Sequence, residues 1–476
     1  MSRERFKLLA VLMLLTIGIL RFSALGRQGA WDDESFTLRA LGVIPAPMAM
    51  AEGTPPLYFL LLRSWVAIAG TSLTAVRAFS ALWGFIGAAL IGLFAGRVLS
   101  PAAGLFSAAL LGLHPFHLAY SQEARPYALV FALATATIWM AWERRLWLFM
   151  LSSTALLWVH PWGVFVWLSS AALPLMSLRP ACFRTSYSKS ETAGELVSPM
   201  PGSGRGSRLD LLLCLAPAIL AAPALWHFTQ LPLFESFWAK PPDLRFLASV
   251  AEALGGGAFY VGGWRFESGW PGRLLLLTFT VLWVAGLLSE DTQRTRQKIL
   301  LPLIGMLLLS LSAGWLEPQA SAHQRYWLAL LPLTLLLAAR GWKYLPGSFR
   351  GVVCVLCLAG VLGTTIHYFS RWQKGNVLQA VRIVEAQASS SAVLIVPPYM
   401  QPLWRYYSRL SLPLVDEQGI DNLAPIVERH SRAVMVTLDV PNPVRDALDR
   451  RFTVLGRTHL PADFNLGILV TFYSTR

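Results

Sequence analysis

A chain of 476 residues that is 55% hydrophobic, only 14% charged and carries 19 Trp is too apolar for an ordinary soluble enzyme. It reads as a polytopic membrane protein. The formal net charge of +14 does not call for nucleic acid, because Lys and Arg fall in short segments between apolar runs, where they set orientation.

The amino terminus, MSRERFK ahead of an apolar run, has the outline of a signal peptide but no small-residue cleavage pattern follows it, so it reads as an uncleaved first span. Further apolar runs lie near 74–97, 101–119, 126–142, 146–160, 162–178, 209–228, 273–289, 299–315, 326–340 and 350–369, which with 6–26 makes eleven. The run Leu57–Ala69 is too short to span, has Arg63 in its middle and is opened by Pro55 and Pro56; it suits a helix lying in the membrane interface. Charge parity agrees. With 57–69 at the interface, Arg97, Arg144 with Arg145, the basic residues of 179–208, of 294–298 and of 340–350 all fall on the side of the amino terminus, as the positive-inside rule requires. The chain is therefore expected in a bacterial-type inner membrane, multi-pass, with its amino terminus cytoplasmic.

The segment 179–208, rich in Ser, Gly, Pro and Arg, reads as a flexible cytoplasmic linker. From about 372 the composition turns to that of a soluble domain. Helical spacing in NVLQAVRIVEAQ, MQPLWRYYSRL and NPVRDALDRRF alternates with the strands SAVLIVP, RAVMVTLDV and NLGILVTFY. The expected organisation is a membrane domain, 1–371, followed by a small extracytoplasmic α/β domain, 372–476, with no GxGxxG or Walker motif and so a role in support or acceptor contact. Of four cysteines, Cys182 lies in a basic loop, while Cys214, Cys354 and Cys357 sit in apolar runs; this pattern reads as helix packing, not as a disulfide or zinc framework.

Under this topology one face receives all the polar constellations. WDDESF sets Asp32, Asp33 and Glu34 just beyond the first span, where acids are costly unless they face water, a cation or a substrate. Glu52 precedes the double proline and Tyr58 follows it. Glu123 and Arg125 occupy a turn between two spans, and an ion pair closing that turn accounts for them as well as chemistry does. His323, Arg325 and Tyr326 stand where a later span begins. His114 and His117, and His160 before Pro161, read as packed or capping residues. The Gly-rich stretch 255–263 lacks the Lys-Ser/Thr of a phosphate loop and reads as a flexible surface loop.

Carboxylates and arginines at an outer interface suit attack on a lipid-linked phosphosugar: a carboxylate removes the proton of an acceptor hydroxyl while guanidinium groups or a metal hold the leaving phosphate. WDDESF, TPPLYFLLLRSW, VRAFSALWG, YSQEARPYAL and QRYWLALLP, in that order, resemble the membrane glycosyltransferases of the C superfold, family 39-like, in the branch of the protein O-mannosyltransferases and lipid A aminoarabinose transferases. The resemblance implies an inverting glycosyltransferase with a polyprenyl-phosphate sugar as donor and a lipid, glycan or protein acceptor reached from the outer side. It places the base on Asp33 beside Glu34, with Asp32 leaving that choice open by one residue. It puts an orienting or metal-binding acid on Glu52 and phosphate contacts on Arg125 or Arg325, with Tyr58, Glu123 and Tyr326 lining the site. A divalent cation is permitted, not required, by Glu52, His323 and the acidic triplet. The alternative is a lipid-linked-sugar transporter or a non-catalytic accessory subunit, for which repeat symmetry and charges at the bilayer midplane would be expected.

Overall fold

The computed structural model describes residues 3–43, 55–175, 203–230, 240–261, 264–289, 293–318, 323–371, 377–398, 400–417, 419–460 and 467–475. Glu52, Cys182 and most of the 179–208 segment lie outside them.

Helix α1 (Arg3–Phe22) opens the chain, followed by the short α2 (Asp32–Ala40), which carries the acidic triplet in its first turn, where the helix dipole favours negative charge. Helix α3 runs Leu57–Ala69, the bounds expected of the interfacial segment, entered through Pro56 and ended at Gly70, whose φ is +84°. Then come α4 (Leu73–Val98), α5 (Pro101–Gly112), α6 (Pro115–Ser121), α7 (Tyr127–Trp142), α8 (Leu146–Val159) and α9 (Gly163–Leu175). Ser72 and Ser100 cap α4 and α5 by accepting from the amides of Ala75 and Ala103. Prolines 101 and 115 open α5 and α6, and the two helices bend 63° at the intervening break.

The apolar run at 209–228 is broken, into α10 (Ser203–Leu220) and α11 (Ala222–Gln230). Next are α12 (Leu244–Leu254), a hairpin of β1 (Phe259–Val261) and β2 (Trp264–Phe266), α13 (Trp270–Leu288), α14 (Gln293–Leu316), a 3-10 helix Gln324–Leu330 that runs into α15 (Leu331–Tyr344), and α16 (Gly347–Ser370). The described part of the Gly-rich stretch, 255–261, is therefore not the expected surface loop. Gly256, at φ +74°, turns the chain out of α12, and Phe259 and Val261 are wholly buried in the hairpin.

All eleven apolar runs fall on helices. Among the described residues four helices, α4, α13, α14 and α16, are long and apolar enough to cross a membrane alone, and five spans result if the bent α5–α6 pair counts as one; α7, α8 and α9 are shorter apolar helices. Outward faces of α1, α10, α13 and α16 expose Leu12, Ile19, Leu212, Ile219, Leu277, Val355 and Ile366, a surface that suits lipid and not water. Inside, glycines let backbones touch. A Cβ on Gly104 would stand 2.5 Å from the Gly92 carbonyl of α4, and one on Gly341 of α15 would stand 2.0 Å from the Leu282 carbonyl of α13.

The carboxy-terminal unit comprises α17 (Val377–Gln387), β3 (Val393–Ile395), α18 (Gln401–Tyr407), β4 (Leu414–Val415), α19 (Ile420–His430), β5 (Arg432–Leu438), α20 (Pro443–Arg451), β6 (Thr453–Leu460) and β7 (Ile468–Ser474). The sheet order is β4-β3-β5-β7-β6, parallel from β4 to β5 and antiparallel thereafter. Strand alternation sorts the two faces. Val393, Ile395, Ala433 and Met435 pack with Leu423, Val427 and Leu448 of α19 and α20, whereas Leu394, Val396, Val434 and Val436 join the main core together with α17 and α18. That second face ties this unit to the helical bundle.

Candidate active site at the end of the bundle

The site is built outward from Glu34. It is wholly buried, and a buried carboxylate must be paired and hydrogen-bonded. Arg77 of α4 supplies both needs, with Nε to Oε1 at 2.7 Å and Nη2 to Oε2 at 2.6 Å, while the amide of Ala124 donates to Oε1 at 2.9 Å. Arg77 then spends its other donors on the carbonyls of Leu25, Gln28 and Gly29. One guanidinium thus fastens the 25–34 segment to α4, and Glu34 fastens the same segment to the turn at 123–125. Thr37 adds a bond to the Ala124 carbonyl at 2.7 Å.

With Glu34 turned inward, Asp33 lies on the open side, partly buried, and forms an ion pair with Arg325 of the 3-10 helix. Arg125 donates from Nη1 to the Asp33 carbonyl at 3.0 Å. Arg325 is held over the rings of Tyr127 and Tyr326, 5.6 Å and 5.8 Å from their centroids. Tyr326 contacts the rings of His323 at 5.2 Å and His160 at 5.3 Å. Burial alone would raise the Asp33 carboxyl, but Arg325, Arg125 and His323 outweigh it and hold it below the usual carboxylate range. Burial, reinforced by Arg325, pushes His323 down to about 3, so its imidazole is neutral at physiological pH.

The hairpin braces this arrangement. The Tyr260 amide donates to the Gln324 side chain at 2.8 Å, and the Tyr260 carbonyl accepts from the Tyr120 hydroxyl at 2.8 Å. One residue of β1 therefore bridges the two segments that bear Arg125 and Arg325.

The fold gathers Asp33, Arg125, His323, Arg325 and Tyr326 as the sequence suggested. It sets Glu34 behind them, against Arg77. Glu123 is fully buried one turn away, and Tyr58 is fully buried in α3 against Phe59 and Phe79. His114 bonds the Leu254 carbonyl at 3.1 Å and His117 faces Arg21 at 2.9 Å, both packed. Three participants were not read from the sequence. Arg77 sits in the quoted VRAFSALWG motif, but nothing local distinguishes it from a basic residue at a helix start. Tyr127 looked like part of a span. His160 looked like a cap before proline, yet its ring also lies 5.7 Å from that of Tyr127 and completes the wall.

Among the described residues no three His, Cys, Asp or Glu side chains gather to hold a metal. Asp33 is already paired with Arg325, and His323 stands beside guanidinium groups that repel a dication. The described residues do not fit a metal centre, and no step is routed through one.

Residues 53–159 match the family model described as dolichyl-phosphate-mannose-protein mannosyltransferase. Among solved structures, the fold is similar to ArnT from Cupriavidus metallidurans in the apo state, with TM-score 0.59, 12% identity and 97% of each chain covered. ArnT from the same organism bound to undecaprenyl phosphate gives 0.56, 13% and again 97% of each chain. The Archaeoglobus fulgidus oligosaccharyltransferase in the apo form gives 0.51 and 12%, over 91% of this chain and 70% of that one. A comparison with curated proteins returns no match.

The chain is a multi-pass membrane protein with the fold of the C-superfold glycosyltransferases. The matched segment, 53–159, and the ArnT-like fold agree with the resemblance that the motifs carry.

Proposed function

We propose that the protein transfers a sugar, with inversion, from a polyprenyl-phosphate donor to an acceptor hydroxyl or amine on the extracytoplasmic face of a bacterial-type inner membrane. Asp33 takes the proton of the acceptor, whose heteroatom forms the new bond to the anomeric carbon as the bond from that carbon to the phosphate oxygen breaks. Arg325 and Arg125 receive the negative charge of the departing lipid phosphate. Glu34 orients the base through Arg77 and takes no proton.

The observation that carries this reading is the meeting of two guanidiniums at Asp33, Arg325 on its carboxylate and Arg125 on its main-chain carbonyl. Arg325 is placed to exchange the Asp33 carboxylate for a phosphate. That exchange frees Asp33 as the donor arrives. Support also comes from the likeness to ArnT, one of whose structures is described as bound to undecaprenyl phosphate. Eleven spans, a cytoplasmic amino terminus and an outer carboxy-terminal domain are the topology that brings this site to the outer face.

The test is transfer by purified protein from a panel of radiolabelled polyprenyl-phosphate sugars into host membrane extract. Label moving into an acceptor supports the reading and names the donor. Donor binding with no transfer by any member of the panel would favour a transporter or accessory subunit instead.

A further inference from the structure

The carboxy-terminal unit reaches the site through one peptide group. The plane between Gly29 and Ala30 is pinned at both ends: its carbonyl accepts from Nη2 of Arg77 at 3.0 Å, and its N–H donates to the hydroxyl of Tyr407 at 2.6 Å, across 377 residues of sequence. Tyr407 ends α18, and α18 packs against α2. Leu403 and Trp404 of α18 belong to the same buried core as Trp31 and Leu38. Ala30 and Trp31 are themselves buried, and the Trp31 carbonyl accepts from the Ser35 amide at 3.0 Å in the first turn of α2. Asp33 lies in that turn.

We propose that the carboxy-terminal unit acts as a clamp on the helix that bears Asp33, with Tyr407 as a positioning residue. The membrane helix α4 holds the carbonyl side of the peptide and the unit holds its amide side, so the direction in which α2 starts is set by both bodies at once. Neither alone fixes the rotation of that plane, because one hydrogen bond leaves a peptide free to swing about it. The inference rests on the proposed function for the part of its test that reads catalysis, but not for the part that reads the clamp. Burial pushes the Tyr407 phenol up to about 12, so its hydroxyl is intact across the working pH range and the clamp does not titrate there.

The experiment uses the full chain in detergent or nanodiscs, as wild type, Tyr407→Phe and, as a control on the same helix, Tyr406→Phe. Hydrogen–deuterium exchange is read over peptides covering 29–40. Loss of the acceptor leaves a buried N–H unsatisfied, which loosens this segment by roughly tenfold in exchange rate. The expected result is that rise in Tyr407→Phe alone, confined to 29–40, together with a several-fold fall in kcat at unchanged donor KM. Unaltered exchange at 32–40 in Tyr407→Phe would overturn the clamp. Faster exchange throughout the chain would also overturn it, since that outcome marks a general structural role. If wild type transfers no sugar, the proposed function fails while the exchange result still decides the clamp.

Discussion

Arg77 and Glu34 face each other side by side in the interior, two nitrogens against two oxygens at 2.7 Å and 2.6 Å, with neither side chain more than 3% exposed. They lie 43 residues apart in sequence and on different helices, so this contact ties α2 to the bundle. Removing one partner strands the other as a buried charge. Arg77→Leu or Glu34→Gln is expected to cost about 3–5 kcal/mol, read as a lowered thermal midpoint in detergent. Arg77→Lys is expected not to rescue, since an ammonium cannot reach both carboxylate oxygens and three carbonyls. The double Glu34→Leu, Arg77→Leu variant is expected to lose less than the sum of the singles. A strictly additive double variant would contradict a coupled pair.

On the proposed mechanism, Asp33 and Arg325 set the acid side of activity. Burial raises the Asp33 carboxyl and its charged neighbours, Arg325 and Arg125 foremost, more than reverse it, so this carboxylate is ionised well into acid. Taking away Arg325, the largest of those cations, raises the Asp33 pKa. The acid limb of kcat/KM against pH is therefore expected to move to higher pH in Arg325→Gln, and the donor KM to rise. A profile that keeps the wild-type acid limb would contradict the pairing. The same depressed pKa stabilises the fold above the unfolded value of 3.8, and this contribution is lost as pH falls through the folded pKa.

His323 gives a dependence of the same sign at higher pH. Its folded pKa of about 3 lies below the ordinary 6.5, so the unfolded chain binds more protons between those values. Stability is expected to fall as pH drops from 6.5 towards 3. His323→Asn removes that proton uptake, and its thermal midpoint is expected to drop less between pH 7 and pH 5 than that of wild type. Equal drops would place the titration elsewhere.

What the sequence disclosed follows from the range of its signals. Apolar runs and prolines are local, so the described part of every run fell on helices, and α3 took the expected bounds behind its two entering prolines. In the carboxy-terminal unit, buried strands such as β5 and β7 announced themselves by β-branched and aromatic residues. The edge strand β6 did not: its residues are mostly exposed, and a register shift between Val454 and Gly456 interrupts the pairing. Helix α19 was missed because Pro425 stands inside it. At the site, acids and arginines in outer segments were legible one by one. Their partners were not. No local pattern links Glu34 to Arg77, Ala30 to Tyr407 or Arg325 to Tyr127, because each contact is made by tertiary packing. The glycine stretch misled for the same reason, since the burial of 255–259 comes from the packing around it.

The account turns on Asp33. In one preparation, wild type and Asp33→Asn are compared for binding of a radiolabelled polyprenyl-phosphate sugar and for its transfer to acceptor. Asparagine keeps the size of the side chain and leaves Arg125 and Arg325 in place, but it cannot take a proton. The account predicts intact folding and donor binding with transfer reduced by roughly 10²–10⁴-fold. Transfer by Asp33→Asn at the wild-type rate would contradict it.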